Sequence, residues 1–216
     1  MVINICSIFV EIIKKSTTMK NLFLSLVLVL TSLVAKTQVI DVNNFDEKLF
    51  EKVLFQKMIE FRKSVGADSL VWSDVLYTNI AKPNTVKMAD LNFLHHPDEG
   101  NIWKENTLRD NLGKELVKKQ NVVLLVSKIN APLFSSYEIA ARIGSSKVVT
   151  YQDLADRAII GWSKSEGHKD IETMPMFNDG AFAMASCSVK MSKDKKNYFI
   201  EFDFSIPFCI KEKKGL

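Results

Sequence analysis

Residues 181–206 read AFAMASCSVKMSKDKKNYFIEFDFSI, two runs of alternating character joined by a charged link. Ala181, Ala183, Ala185, Cys187, Val189 and Met191 fall on one side of an extended chain, with Phe182, Met184 and Ser186 on the other. Tyr198, Ile200, Phe202, Phe204 and Ile206 likewise alternate with Glu201, Asp203 and Ser205. A period of two belongs to strands, because successive side chains of an extended backbone point to opposite faces. The link Ser192 to Asn197 is polar, so the stretch predicts an antiparallel hairpin.

Working back from the hairpin, the period changes. Phe50, Leu54, Met58, Phe61 and Val65 recur at three- and four-residue spacing and predict a helix over 46–65, ended by Gly66. Ser73 is a good N-cap for a second helix running towards Phe93, and Pro83 inside it predicts a kink or break near Lys82. Thr107 to Lys119 reads as a polar helix interrupted at Gly113, Val122 to Ile129 as a buried strand, and Ser136 to Ile143 as another strand. Thr150, with Asp153 three residues on, caps a third helix over 150–165 whose apolar face is Leu154, Ala158, Ile159 and Trp162. Helices first, a hairpin last and a helix between strands imply a layered α/β (α+β) domain.

The chain has 216 residues, 47% apolar and 25% charged, which suits one globular domain and excludes a disordered chain. Its formal charge of +4 comes mostly from residues 1–37, where Lys14, Lys15, Lys20 and Lys36 face Glu11 alone. The remainder is nearly neutral, so nothing in it points to nucleic acid or an anionic membrane surface. Met19-Lys20-Asn21 opens a short basic segment, followed by the apolar run Leu22 to Ala35. That run is too short to span a bilayer and has the length of a signal-peptide core; Ala35-Lys36-Thr37 then favours cleavage before Gln38. The expectation is a signal peptide at 19–37, an over-extended start at 1–18, and one domain from 38 to 216 with no membrane span after cleavage. Cys6, Cys187 and Cys209 are too few for a disulfide framework; two free thiols in the domain are the expected state, with a single Cys187–Cys209 bridge as the alternative.

Three pieces carry a resemblance. Arg62, Gly66, Leu70, Trp72, Leu76 and Ala81 form one spaced series, leading into Met88-Ala89-Asp90-Leu91-Asn92-Phe93-Leu94-His95-His96. Tyr137-Glu138-Ile139 follows, then Trp162-Ser163-Lys164-Ser165-Glu166-Gly167-His168 and Asp179-Gly180-Ala181 before the aromatic hairpin. In this order, over about residues 46–206, they resemble the CAP superfamily of cysteine-rich secretory, antigen 5 and pathogenesis-related proteins, in its bacterial, SCP-like form without the disulfide set. The resemblance implies a three-layer α-β-α sandwich with a C-terminal antiparallel hairpin. It also implies a cleft lined by His96, Glu138 and His168, the register from Met88 selecting His96, with His95 in reserve. The family's fourth cleft residue, a glutamate on the helix leading to the second histidine, has no clear counterpart; Glu166 is close by.

Two neutral imidazoles and a carboxylate are a set able to hold zinc or another divalent cation, so His96, His168 and Glu138 are the metal candidates. The same three can also form a hydrogen-bonded trio that only ties the cleft together. Ser163 and Ser165 beside His168 invite a hydrolase reading, but there is no Gly-x-Ser-x-Gly elbow and no Cys–His pairing. Ser165 is expected to end the third helix and Gly167 to supply the turn before His168. The reading adopted is a secreted, non-enzymatic CAP-like protein binding a small lipid-like ligand, a divalent ion or an extracellular protein. A metal-dependent hydrolase in the same cleft and a structural or adhesive surface domain are the alternatives.

Overall fold

The structure, a computed structural model, describes residues 38–96, 106–120, 123–124, 133–178, 181–208 and 210–211. It divides into a leading unit, residues 1–39, and a second, residues 40–216, to which the fold below belongs. The expected signal peptide at 19–37, its cleavage point, the start at 1–18, Cys209 and the acidic pair Asp98-Glu99 lie outside the described residues. Among the described residues no helix is long and apolar enough to cross a membrane.

Helix α1 (Glu47–Ser64) starts where Asp46 accepts a hydrogen bond from the Leu49 amide, satisfying one of the donors a helix start leaves open. It buries Phe50, Val53, Leu54 and Met58. Gly66 then turns the chain with φ +77°, a conformation that costs other residues a clash at Cβ. The Arg62 side chain is fully buried and donates to three carbonyls, those of Asp68, Glu172 and Met174. Arg62 thereby ties the end of α1 to a segment more than a hundred residues away.

After strand β1 (Val71–Trp72), Ser73 caps α2 (Asp74–Leu76), which passes into a π-helical turn, Tyr77–Ala81, and then into α3 (Lys82–Leu91). The interruption expected near Lys82 takes the form of this π turn, with the chain helical on both sides of it. The Lys82 amide bonds to the Tyr77 carbonyl, one residue further back than in an α-helix, and the widened turn accommodates the proline at the start of α3. Asn92, with φ 50°, ends α3.

Helix α4 (Asn106–Gln120) is the polar helix expected over 107–119, but Gly113 does not interrupt it and one of its faces is apolar. Leu108, Leu112 and Leu116, four residues apart, are buried against Leu76, Ile80 and Met184. Of the strand expected at 122–129, β2 (Val123–Leu124) is described; the rest lies outside the described residues. Strand β3 (Leu133–Gly144) exceeds the expected 136–143 at both ends. Helix α5 (Tyr151–Ser163) is capped by Thr150 accepting from the Asp153 amide and buries Leu154, Ala158, Ile159 and Trp162.

A further helix, α6 (Glu166–Thr173), follows at once with Ser165 as its N-cap residue. This corrects the expectation that Ser165 closes a helix and Gly167 makes a turn: both belong to the beginning of a new one. The chain ends with β4 (Phe177–Asn178), β5 (Ala181–Phe182), β6 (Met184–Met191), β7 (Asn197–Phe208) and β8 (Ile210–Lys211).

The main sheet runs β1-β6-β7-β3, with β1 parallel to β6 and the other pairs antiparallel. The β6–β7 hairpin is the one read from residues 181–206, joined by the polar link. Register places Cys187, Phe202 and Ile139 side by side across three strands, and Ser186, Asp203 and Glu138 side by side on the reverse face. On the first face Phe55 of α1 stacks on Phe202 with ring centroids 5.8 Å apart, and α1 packs against α5. On the second, Met88 and Ala89 of α3 pack against Phe199 and Ala140. The domain is an α/β fold with helices on both faces of the sheet, the three-layer order expected.

Candidate functional site

The site forms where the end of α3, strand β3 and the start of α6 come together. Beyond Asn92 the chain leaves α3 and delivers His95 and His96. The His96 ring nitrogen Nδ1 lies 3.4 Å from Glu138 Oε1; the carboxylate side chain is 2% exposed, the imidazole 59%. An exposed ring over a buried acid is a surface-facing pair with one end anchored. His95 points elsewhere, its Nε2 lying 2.7 Å from Lys87 Nζ. The register from Met88 therefore chose the histidine that meets Glu138.

His168 stands in the first turn of α6. Trp162 in the last turn of α5 donates its indole N–H to the Ala140 carbonyl at 2.9 Å, two residues along β3 from Glu138. The chain then turns at Ser165 into α6, whose far end is held by the buried Arg62 through the Glu172 and Met174 carbonyls. Trp162 and Arg62, both quoted above as motif residues, thus fix the two ends of the segment that carries His168. The imidazole is half-buried, and its basicity falls below the ordinary histidine value, first through lost hydration and second through repulsion from His96. His168 is thus close enough to His96 to feel its charge.

The sequence candidates thus divide. The structure brings His96 onto Glu138 and puts His168 within electrostatic range of His96, while His95 pairs with Lys87. Glu166, near the family's missing fourth position, is exposed in the first turn of α6. Among the described residues no group of three His, Cys, Asp or Glu side chains converges as a metal site requires. Cys187 is a free, buried thiol donating to the Glu51 carbonyl at 3.2 Å.

The spacing of the candidate residues gave no hint of Glu201 and Asp203. Both are fully buried under α3, on the same sheet face as Glu138. Burial pushes both carboxyls up, Asp203 to about 8. Ser186 approaches Asp203 at 3.4 Å, and Asn84 of α3 donates its amide to Glu201 at 2.5 Å. A second buried acid, Glu51 of α1, receives the Tyr77 hydroxyl at 3.1 Å and the Ser188 hydroxyl at 3.3 Å, and burial raises it to about 7. The alternation of Glu201, Asp203 and Ser205 was the available sign of a polar sheet face; its burial depends on α3, far away in sequence.

No family model matches the chain, and no curated protein matches its sequence. Among solved structures it is similar to an outer surface protein from Borrelia burgdorferi, at 18% identity and a TM-score of 0.47, covering 79% of this chain and 98% of that one. It is also similar to an extracellular protein containing a SCP domain from Bacillus anthracis, at 20% identity and a TM-score of 0.39. That second likeness covers 72% of this chain and 40% of the other.

Proposed function

We propose that this chain is an exported, SCP-like binding protein, non-enzymatic, whose cleft at His96, Glu138 and His168 takes a polar group of an extracellular ligand. The observation that carries the reading is the His96–Glu138 pair at 3.4 Å: a buried acid with an exposed imidazole directly over it. Such an acid favours a cationic or hydrogen-bond-donating group, and the imidazole beside it adds a second polar contact. His168, its basicity lowered by burial and then by His96, supplies a second imidazole near the first. The short basic and apolar leader before Gln38 supports export. The reading needs no nucleophile, and none of the hydroxyls beside His168 has the oriented base that covalent catalysis requires. It routes nothing through a metal.

The test uses the chain recovered from the secreted or periplasmic fraction, its first residue expected within a few positions of Gln38 by mass spectrometry. Ring-nitrogen NMR then follows His96 and His168 during titration with butylammonium chloride, zinc chloride or palmitate. Saturable shifts with the ammonium probe, weakened by Glu138→Gln and by His168→Ala but not by His95→Ala, are the expected result. Tight zinc binding that displaces the ammonium probe replaces this reading with an ion site, and a response confined to palmitate replaces it with a lipid site. No response to any probe leaves the adhesive role in its place.

A further inference from the structure

One end of the domain exposes large apolar side chains among lysines. Leu91 closes α3 and Phe93 follows it, 59% and 67% exposed. The backbone there is settled: the Asn92 and Phe93 amides donate to the Ala89 and Met88 carbonyls, and Leu94 packs on the core. The two side chains are therefore presented by a well-formed helix end, not by a frayed one.

The tip of the β6–β7 hairpin, residues 192–197, lies against this helix end. Lys193 Nζ is 3.1 Å from Asp90 of α3, and the Asn197 side-chain amide donates to Asn92 Oδ1 at 3.2 Å. The 3₁₀ turn Ser145–Lys147 is tied to the same tip. Its Ser145 amide donates to the Lys196 carbonyl at 2.8 Å and its Ser145 hydroxyl to the Lys195 carbonyl at 2.7 Å. Lys195 Nζ reaches Asn43 Oδ1 at 2.7 Å, next to the exposed Val42, and the Ile40 amide bonds to the carbonyl of the exposed Val149.

A domain that is nearly neutral as a whole thus has a basic end. Lys147, Lys193, Lys195 and Lys196 are all exposed there. Among the described residues no acid forms an ion pair with Lys147, Lys195 or Lys196. The nearby acids Asp41 and Asp194 accept from backbone amides of their own turns, those of Asn43 and Lys196. Lys195 also holds φ 58°, a left-handed conformation that glycine or asparagine adopts at less cost.

We propose that this end of the domain rests on an anionic membrane surface, with Leu91 and Phe93 entering the headgroup layer and the lysines around them meeting lipid phosphates. Cations alone would suit any polyanion, and apolar side chains alone any apolar partner. The two together fit the boundary between headgroups and acyl chains, where charge and hydrocarbon lie within about 10 Å of each other. The path of the chain supports the same occupant. Ile40 joins the domain beside Val149, a few residues after the apolar run Leu22 to Ala35. A leader engaged in a membrane would hold this end within about 20 Å of it. The surface is separate from the His96–Glu138 pair, and its test uses no cleft ligand.

The test is flotation of the mature chain with vesicles of phosphatidylglycerol and phosphatidylcholine in equal parts, and with phosphatidylcholine vesicles alone. The wild type should float with the anionic vesicles only, and about 0.5 M salt should release most of it. Lys147→Gln, Lys195→Gln and Lys196→Gln should each weaken partitioning about fivefold, and Phe93→Ser about tenfold. Val117→Ser should change nothing: Val117 is exposed on α4, whose last residue, Gln120, bonds to Phe182 near the opposite end of β6. Lys195→Gly relaxes the left-handed turn, so it should leave the urea midpoint unchanged or higher while weakening partitioning, a split that a purely structural lysine would not give. Absence of flotation, or equal flotation with neutral vesicles, overturns the proposal. So does anionic binding that survives Leu91→Ser and Phe93→Ser and is displaced by soluble polyphosphate, which assigns the lysines to a polyanion instead.

Discussion

On the face of the sheet under α1 and α5, Cys187, Phe202 and Ile139 line up across three strands; on the reverse, Ser186, Asp203 and Glu138 do the same. Both rows are buried. The apolar row gains from every contact and asks only for shape, so its helices are held by area. The polar row gains nothing from burial as such: each hydroxyl needs a partner, and each acid needs a donor or a proton. Asn84 and Thr85 of α3 meet those needs, at Glu201 and Ser188. The apolar face makes the domain stable, and the polar face decides where α3 sits and with it where His96 points.

The largest effect should come from cutting into the apolar face. Phe202 is 0% exposed and stacks on Phe204 at 4.8 Å as well as on Phe55. Phe202→Ala should cost about 3–5 kcal/mol, read as a drop in the urea midpoint with little change in slope. A loss well below that range would mean that the face collapses to fill the gap, and that area matters less than assumed.

Next comes the pH dependence of stability, which belongs to the buried acids. Glu51 is held up at about 7, and Glu172, buried beside Arg62, at about 8. The folded state keeps protons that the unfolded chain releases near pH 4, so stability is greatest at low pH and falls steadily as pH rises towards 8. The urea midpoint should be higher at pH 5 than at pH 8. Glu51→Gln and Glu172→Gln should each reduce that difference. A midpoint rising over this interval would show that other groups dominate.

The smallest effect is expected at Cys187, whose Sγ–H donates to a carbonyl that a serine hydroxyl can also reach. Cys187→Ser exchanges one small donor for another at a cost of no more than about 1–2 kcal/mol, whereas losing a native disulfide costs about 2–5 kcal/mol. Thiol titration of the unfolded chain should find the sulfhydryl free. Its absence there would show that Cys187 is oxidised.

What was legible in the sequence was what short-range chemistry decides. Ser73 and Thr150 could be recognised as caps because each bonds a backbone amide three residues on; Asp46, which does the same, reads from sequence as the first helical residue. The hairpin could be read because alternation is a property of the strand itself. The apolar face of helix α4 was missed because its many charged residues outweigh Leu108, Leu112 and Leu116, which need Leu76 and Met184 to become a core. Ser165 suits the end of one helix and the start of another, and only the neighbouring Trp162 and Arg62 anchors decide between them. His96 and Glu138 were paired by resemblance and not by spacing, since forty-odd residues separate them. The burial of Glu201 and Asp203 lay beyond any local pattern, because a polar strand face facing water and one facing a helix have the same sequence period.

The π turn at Tyr77–Ala81 has a consequence for how the second layer is indexed. Such a turn holds one residue more than an α-helical turn and so advances everything after it by about 100° around the helix axis. Leu76 before the turn and Ile80 within it face α4, while Asn84, Thr85 and Met88 face the sheet after it. Remove a single residue from the turn and α3 would lie along the same line, in the same place, presenting the wrong side. The turn works as an angular offset written into the chain, and Pro83, by denying the regular hydrogen bond, keeps that offset from sliding along the helix.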